Sequence, residues 1–330
     1  MYAPARLEDG YGRVARDLRV SVTDHCDLRC VYCMPEEGLD WLDAAEQLTF
    51  DEIERLVSIF VSLGVRTVRL TGGEPLMRPK LVELVGALAA LDLDDLSMTT
   101  NATTLARHAE SLAAAGLRRV NVSLDTLIRH RFAQMTRRDA LDRVLAGIDA
   151  ARRVGLSPVK INVVLVGGTN DDEILDFVEF ARATGCDVRF IEDMPLGGGG
   201  AWHPEIVVHS AGILEGIAQR HALVPVERGS EPAAGYRFAD GAPGRIGLIS
   251  SVTEPFCEQC DRLRLTADGQ LRTCLFAHVE TDLRTPLRSG ATDSDLAGLI
   301  RAAVAAKEPG HMIGRANFEQ PVRLMSRIGG

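Results

Sequence analysis

Three cysteines, Cys26, Cys30 and Cys33, crowd into the stretch HCDLRCVYC, and a second trio, Cys257, Cys260 and Cys274, punctuates CEQCDRLRLTADGQLRTC near the other end of the chain. Thiolates this close together hold zinc, other soft metals or iron–sulfur clusters. A closed zinc site wants four ligands, and an odd number does not suit a disulfide framework. Three thiolates on a four-iron cube leave one iron without a protein ligand, open to a small molecule. For the second trio the spacing alone leaves a rival, because His278 follows Cys274 by four residues and would complete a Cys3His zinc site. The seventh cysteine, Cys186 in TGCDVRF, reads as a small core residue ahead of a buried strand.

The elements that must position these thiols are legible as alternating patterns. Short β-like runs occur at 17–23, 65–70, 94–100, 118–124, 158–166 and 187–193, rich in Val, Ile and Leu as strands of a buried parallel sheet are. Amphipathic helical segments separate them; one opens on Thr49 and Glu52, a capping-box pair, and another after Pro79. Six βα units predict an α/β fold, an incomplete (βα)6 TIM-type barrel, with a doubly wound open sheet as the alternative. The first trio directly follows the first strand, at the C-terminal mouth where barrels place their chemistry. After Met194 the texture changes: LGGGGAWHPE reads as a connector, a helix is expected at 210–221, and short strands follow from 235. DRLRLT and QLRTCLF flank the turn ADG as a hairpin, and a last helix is expected around 292–306. The domain reading is an arm over 1–13, a partial barrel over 14–230, and a small C-terminal α+β cluster-binding domain over 231–330.

Alternation along the strands also sorts charges. Arg262 and Arg264 share one face of their strand; Arg19, Arg69 and Lys160 sit on barrel strands, Lys160 with the same inward parity as Asn162. Cations aimed into a barrel need an anion, and arginine matches phosphate geometry, so a polyanionic small molecule is expected. The formal net charge of −9 argues against a broad nucleic-acid face. No apolar run approaches membrane-spanning length and the first residues lack a signal-peptide core, so a cytoplasmic enzyme with reduced thiols is the expectation.

The Cys-x3-Cys-x2-Cys spacing with Tyr32 before the last cysteine resembles the radical S-adenosylmethionine superfamily. TGGEP at 71–75, the RLRL hairpin between the second-trio cysteines and the tail FEQPVRLMSRIGG make the likeness closer, to the GTP 3′,8-cyclase family of molybdenum cofactor biosynthesis. That resemblance implies two 4Fe–4S clusters, one on Cys26, Cys30 and Cys33 and one on Cys257, Cys260 and Cys274. It implies S-adenosylmethionine contacts at Tyr32, Gly73, Ser123 and Met194, with the TGGEP turn receiving the methionine amino group. It also implies GTP contacts at Arg19, Arg69, Thr100, Lys160, Arg262, Leu263 and Arg264. The implied reaction starts with hydrogen abstraction from ribose C3′ and yields (8S)-3′,8-cyclo-7,8-dihydroguanosine 5′-triphosphate. The product would pass to cyclic pyranopterin monophosphate synthase, and an electron donor of unidentified kind is needed. A homodimer is left open.

Two further readings compete. One is a radical enzyme acting on a peptide or RNA; the other is a non-enzymatic protein using both trios structurally. Asp27 and Asp261 stand where that family often has asparagine beside a cluster cysteine. The paired glycines at 329–330 are thought in the family to enter the active site, whereas the sequence alone favours a frayed terminus.

Overall fold

The computed structural model describes residues 6–196, 202–315 and 318–329; residues 197–201 of the glycine-rich connector, and Gly330, lie outside the described residues. Six parallel strands run in sequence order: β1 Asp17–Ser21, β2 Thr67–Thr71, β3 Asp95–Thr100, β4 Arg119–Ser123, β5 Lys160–Leu165 and β6 Asp187–Glu192. Helices α1 Phe50–Ser62, α2 Leu81–Ala89, α3 Leu105–Ala114, α4 Arg129–Thr136, α5 Leu141–Arg153 and α6 Ile174–Thr184 connect them. The expected capping box is present: Thr49 Oγ1 accepts from Glu52 N and Glu52 Oε2 accepts from Thr49 N, satisfying orphan amides at the start of α1. Ile53, Leu56, Val57 and Phe60 then recur at helical spacing and are fully buried against the sheet. Cys186 is buried in the same core, as read from the sequence.

Beyond residue 196 the chain adds α7 Ser210–Ala218 and then strands β7 Leu223–Pro225, β8 Ala234–Phe238, β9 Arg245–Ile249, β10 Arg262–Leu265, β11 Gln270–Arg272 and β12 Thr281–Asp282. Helices α8 Arg284–Arg288, α9 Asp293–Ala305 and α10 Met325–Ile328 complete it. The placement of these strands is not visible in local pattern. β9 pairs parallel with β6, and β10 pairs parallel with β1, so the C-terminal segment extends the barrel sheet at both edges. Consecutive strands thus lie at opposite edges, and the 250–261 connection must cross the open side of the arc. It carries Cys257 and Cys260. The expected hairpin forms as β10 and β11, with Arg264 opposite Arg272.

None of the described helices is long and apolar enough to cross a membrane.

Candidate active site

The first trio sits in the loop after β1, as predicted. Its backbone is clamped by the TGGEP turn after β2: Gly73 N donates to Thr23 O at 2.8 Å and Glu74 N to His25 O at 2.7 Å. A Cβ on Gly72 would come 2.4 Å from Thr23 O, and one on Gly73 would come 2.3 Å from Asp24 O. These glycines are therefore required by the close approach of the cysteine loop itself. Glu74 is not a free charge. It accepts from Thr100 Oγ1 at 2.7 Å and Asn101 N at 2.6 Å, which ties the end of β3 to the turn; burial pushes its carboxyl up to about 7. Asn101 and Thr103 in turn grip Asp27, and the Asn101 amide lies 3.8 Å from Cys26 Sγ.

Cys26, Cys30 and Cys33 line one chamber with Tyr32, Gly73, Thr100 and Ser123. All three are free thiols. Burial and then the Glu74 charge hold Cys26 up at about 12, burial holds Cys33 at about 11, and Cys30 is raised in the same way. Tyr32 is fixed through its hydroxyl, which donates to Asp125 Oδ2 at 2.6 Å; Asp125 Oδ1 accepts from Val164 N at 2.9 Å. Burial lifts the Asp125 carboxyl to about 6.

An adjoining chamber shares Tyr32, Thr99, Ser123, Asp125 and Met325 with the first. Its wall contains Arg19, Arg69, Arg189, Arg262 and Arg264. Register explains the convergence. Arg264, Arg19 and Arg69 stand side by side on β10, β1 and β2, while Ser123, Asn162 and Arg189 form a matching row on β4, β5 and β6. Gly247 on β9 continues the second row, and a Cβ there would meet Arg189 Cγ at 2.9 Å. Burial, reinforced by Arg264 and Arg69, lowers the pKa of Arg19; Arg189 falls to about 9 and Arg264 to about 10 for the same reasons of burial and neighbouring arginines. Cations that depress one another in a buried wall create a site for an anion. Met194 joins this wall.

Three predicted contacts sit elsewhere. Lys160 is at the opposite end of β5, 3.5 Å from Glu231. Thr100 faces the first chamber, not the arginine wall. Leu263 alternates away from Arg262 and Arg264 into the hydrophobic core, leaving only its backbone for a ligand.

Cys257, Cys260 and Cys274 line the arginine chamber together with Phe256, Phe276 and His311. Burial raises Cys260, but Arg262 and Lys307 outweigh it and bring the thiol down to about 7. His278 is exposed and lines neither chamber, so the Cys3His arrangement does not assemble. Among the described residues no three His, Cys, Asp or Glu side chains converge as a single-ion site. Each trio's thiols line a chamber wall. The frayed-terminus expectation fails for Gly329, which is buried beside Thr71 and Ser21 with its carbonyl accepting from Arg264. Sequence reasoning missed Arg189, Asp125, Asn101 and His311; strand parity on β6 was the available signal for Arg189.

Residues 20–181 match the model of the Radical SAM superfamily, and residues 186–313 match Molybdenum Cofactor Synthesis C. The GTP 3′,8-cyclase of Streptomyces coelicolor is 53% identical over 98% of this chain and 96% of its own. That of Mycolicibacterium smegmatis is 48% identical over 99% of this chain and 93% of its own. The chain belongs to the GTP 3′,8-cyclase family. Among solved structures, Streptococcus suis SuiB bound to S-adenosylmethionine is similar in fold, with a TM-score of 0.57 at 17% identity over 88% of this chain and 69% of that one. The GTP 3′,8-cyclase family lies within the radical S-adenosylmethionine superfamily, whose members use a 4Fe–4S cluster and S-adenosylmethionine. The first chamber fits that pair: Cys26, Cys30 and Cys33 are free thiols facing one pocket and would hold the cluster there.

Proposed function

We propose that this chain is itself a GTP 3′,8-cyclase, converting GTP to (8S)-3′,8-cyclo-7,8-dihydroguanosine 5′-triphosphate in the first step of molybdenum cofactor biosynthesis. The observation that carries the reading is five arginines lining the chamber of the second thiol trio, which adjoins the chamber of the first. Cys26, Cys30 and Cys33 would hold one 4Fe–4S cluster and Cys257, Cys260 and Cys274 a second. When bound, the first supplies the electron that cleaves S-adenosylmethionine to the radical which takes hydrogen from ribose C3′, and the second offers an open iron to the guanine base.

The protein's own part is binding, orientation and exclusion of water. Arg19, Arg69, Arg189, Arg262 and Arg264 would neutralise the triphosphate. Ser123, Gly73 and the Asp125-anchored Tyr32 border the S-adenosylmethionine side, while Met194 lines the adjoining arginine chamber. Because the two chambers share Tyr32, Thr99, Ser123, Asp125 and Met325, a nucleotide with its phosphates on the arginines would have its ribose near the first chamber. The partial barrel over 14–230 supplies the first site and the 231–330 segment the second. Delivery of the product to cyclic pyranopterin monophosphate synthase, an external electron donor and a cytoplasmic setting belong to the same reading.

Anaerobic incubation with reductant, S-adenosylmethionine and each nucleotide in turn tests it. GTP-dependent 5′-deoxyadenosine and a product of the cyclised mass are expected; turnover indifferent to GTP would overturn the assignment.

A further inference from the structure

Lys307 follows α9 and is 4% exposed, yet lines neither chamber. Its Nζ donates to Cys260 O at 2.9 Å and Arg262 O at 3.0 Å, and lies 3.7 Å from Cys260 Sγ. All three contacts are to groups without formal charge when the thiol is protonated. Two other buried cations brace the same region. Arg13 donates to Cys257 O at 2.9 Å and Pro309 O at 2.8 Å, and Arg272 to Leu275 O at 3.2 Å and Ala277 O at 2.5 Å. Each of these has its own carboxylate: Asp9 at 2.6 Å from Arg13, and Glu280 for Arg272. Lys307 forms no ion pair with a carboxylate among the described residues. An ammonium buried without a counter-charge is costly, several kcal/mol in order of magnitude, and the group it approaches is a thiol.

We propose that Lys307 is the positioning residue and built-in counter-charge of the second trio, set behind the 257–262 loop to receive the negative charge of a thiolate-held cluster. Arg262 touches the same sulfur, at 3.3–3.4 Å, and also lines the chamber, whereas Lys307 lies behind the loop. At the first trio Arg29 donates to Cys26 O at 2.6 Å, but the polar side chain on Cys26 Sγ is the neutral amide of Asn101, at 3.8 Å. A fixed positive charge favours the more negative, reduced state of a cluster, so Lys307 would raise the potential of the second centre.

The inference rests on the second trio holding a cluster, and the test separates the two. Anaerobically reconstituted full-length wild type, Lys307→Gln and Lys307→Arg are compared by iron and sulfide content, by electron paramagnetic resonance and by redox titration. Wild type should bind about eight irons; about four would overturn the two-cluster reading and this inference with it. Lys307→Gln keeps a donor for the two carbonyls but removes the charge. It is expected to lower the midpoint potential of the second centre, or to lose that centre altogether, while the S-adenosylmethionine-induced change in the first centre's spectrum persists. Lys307→Arg should restore both content and potential. Eight irons with an unshifted second potential in Lys307→Gln, or failure of arginine to restore what glutamine loses, would overturn the inference alone.

Discussion

Arg19 and Arg189 come from opposite sides of the arginine chamber, and neither has a carboxylate in ion-pair contact among the described residues. Charge-assisted hydrogen bonds contribute about 1.5–3 kcal/mol each. Replacing either by alanine is therefore expected to weaken GTP binding roughly 10- to 100-fold while leaving S-adenosylmethionine affinity unchanged, as read by anaerobic equilibrium dialysis. Equal loss for both ligands would mean that the wall does not divide them. The cysteines separate differently. Cys33→Ala should abolish 5′-deoxyadenosine formation, whereas Cys274→Ala should block cyclisation but retain slow, uncoupled cleavage of S-adenosylmethionine. Most of these residues were legible in the sequence because trio spacing and two-residue alternation are local. Glu74 was not, since its carboxylate is consumed by Thr100 and Asn101 from a different strand.

At the scale of elements, register turns scattered arginines into rows. Arg19, Arg69 and Arg264 are neighbours only because β10 docks parallel on β1 with no shift between those positions. Gly247 does the corresponding service on the other side by leaving room for Arg189. Gly247→Val should push that side chain off Asn121, its present partner at 2.6 Å, and reproduce the GTP-binding loss of Arg189→Ala. A Gly247→Val protein that binds GTP like wild type would show that Arg189 reaches the anion by another path. The capping box of α1 offers a control remote from both chambers: Thr49→Ala should cost about 1 kcal/mol of stability in chemical denaturation of the cluster-free chain without changing ligand selectivity.

Over the whole molecule, a chain of net charge −9 gathers five arginines on one interior wall. The field at that wall opposes the sign of the surface, so association with a polyanion depends on the local potential at the opening. Raising ionic strength should slow GTP association measurably more than S-adenosylmethionine association in stopped-flow experiments, because the triphosphate carries more charge to screen. Similar salt slopes for the two ligands would count against a triphosphate at the arginines.

The sequence by itself determined the two thiol trios, the six βα units, the capping box of α1, the place of Arg19 and Arg69 on barrel strands and the shared face of Arg262 and Arg264, all of which depend on spacings of a few residues. Tertiary structure alone decided that β9 and β10 occupy opposite edges of one sheet and that the 250–261 connection carries Cys257 and Cys260 across its open side. It also decided that Leu263 turns into the core and that Lys307 comes to rest behind Cys260. Those outcomes come from strand pairings and buried charges between residues far apart in the chain, where no local periodicity leaves a mark.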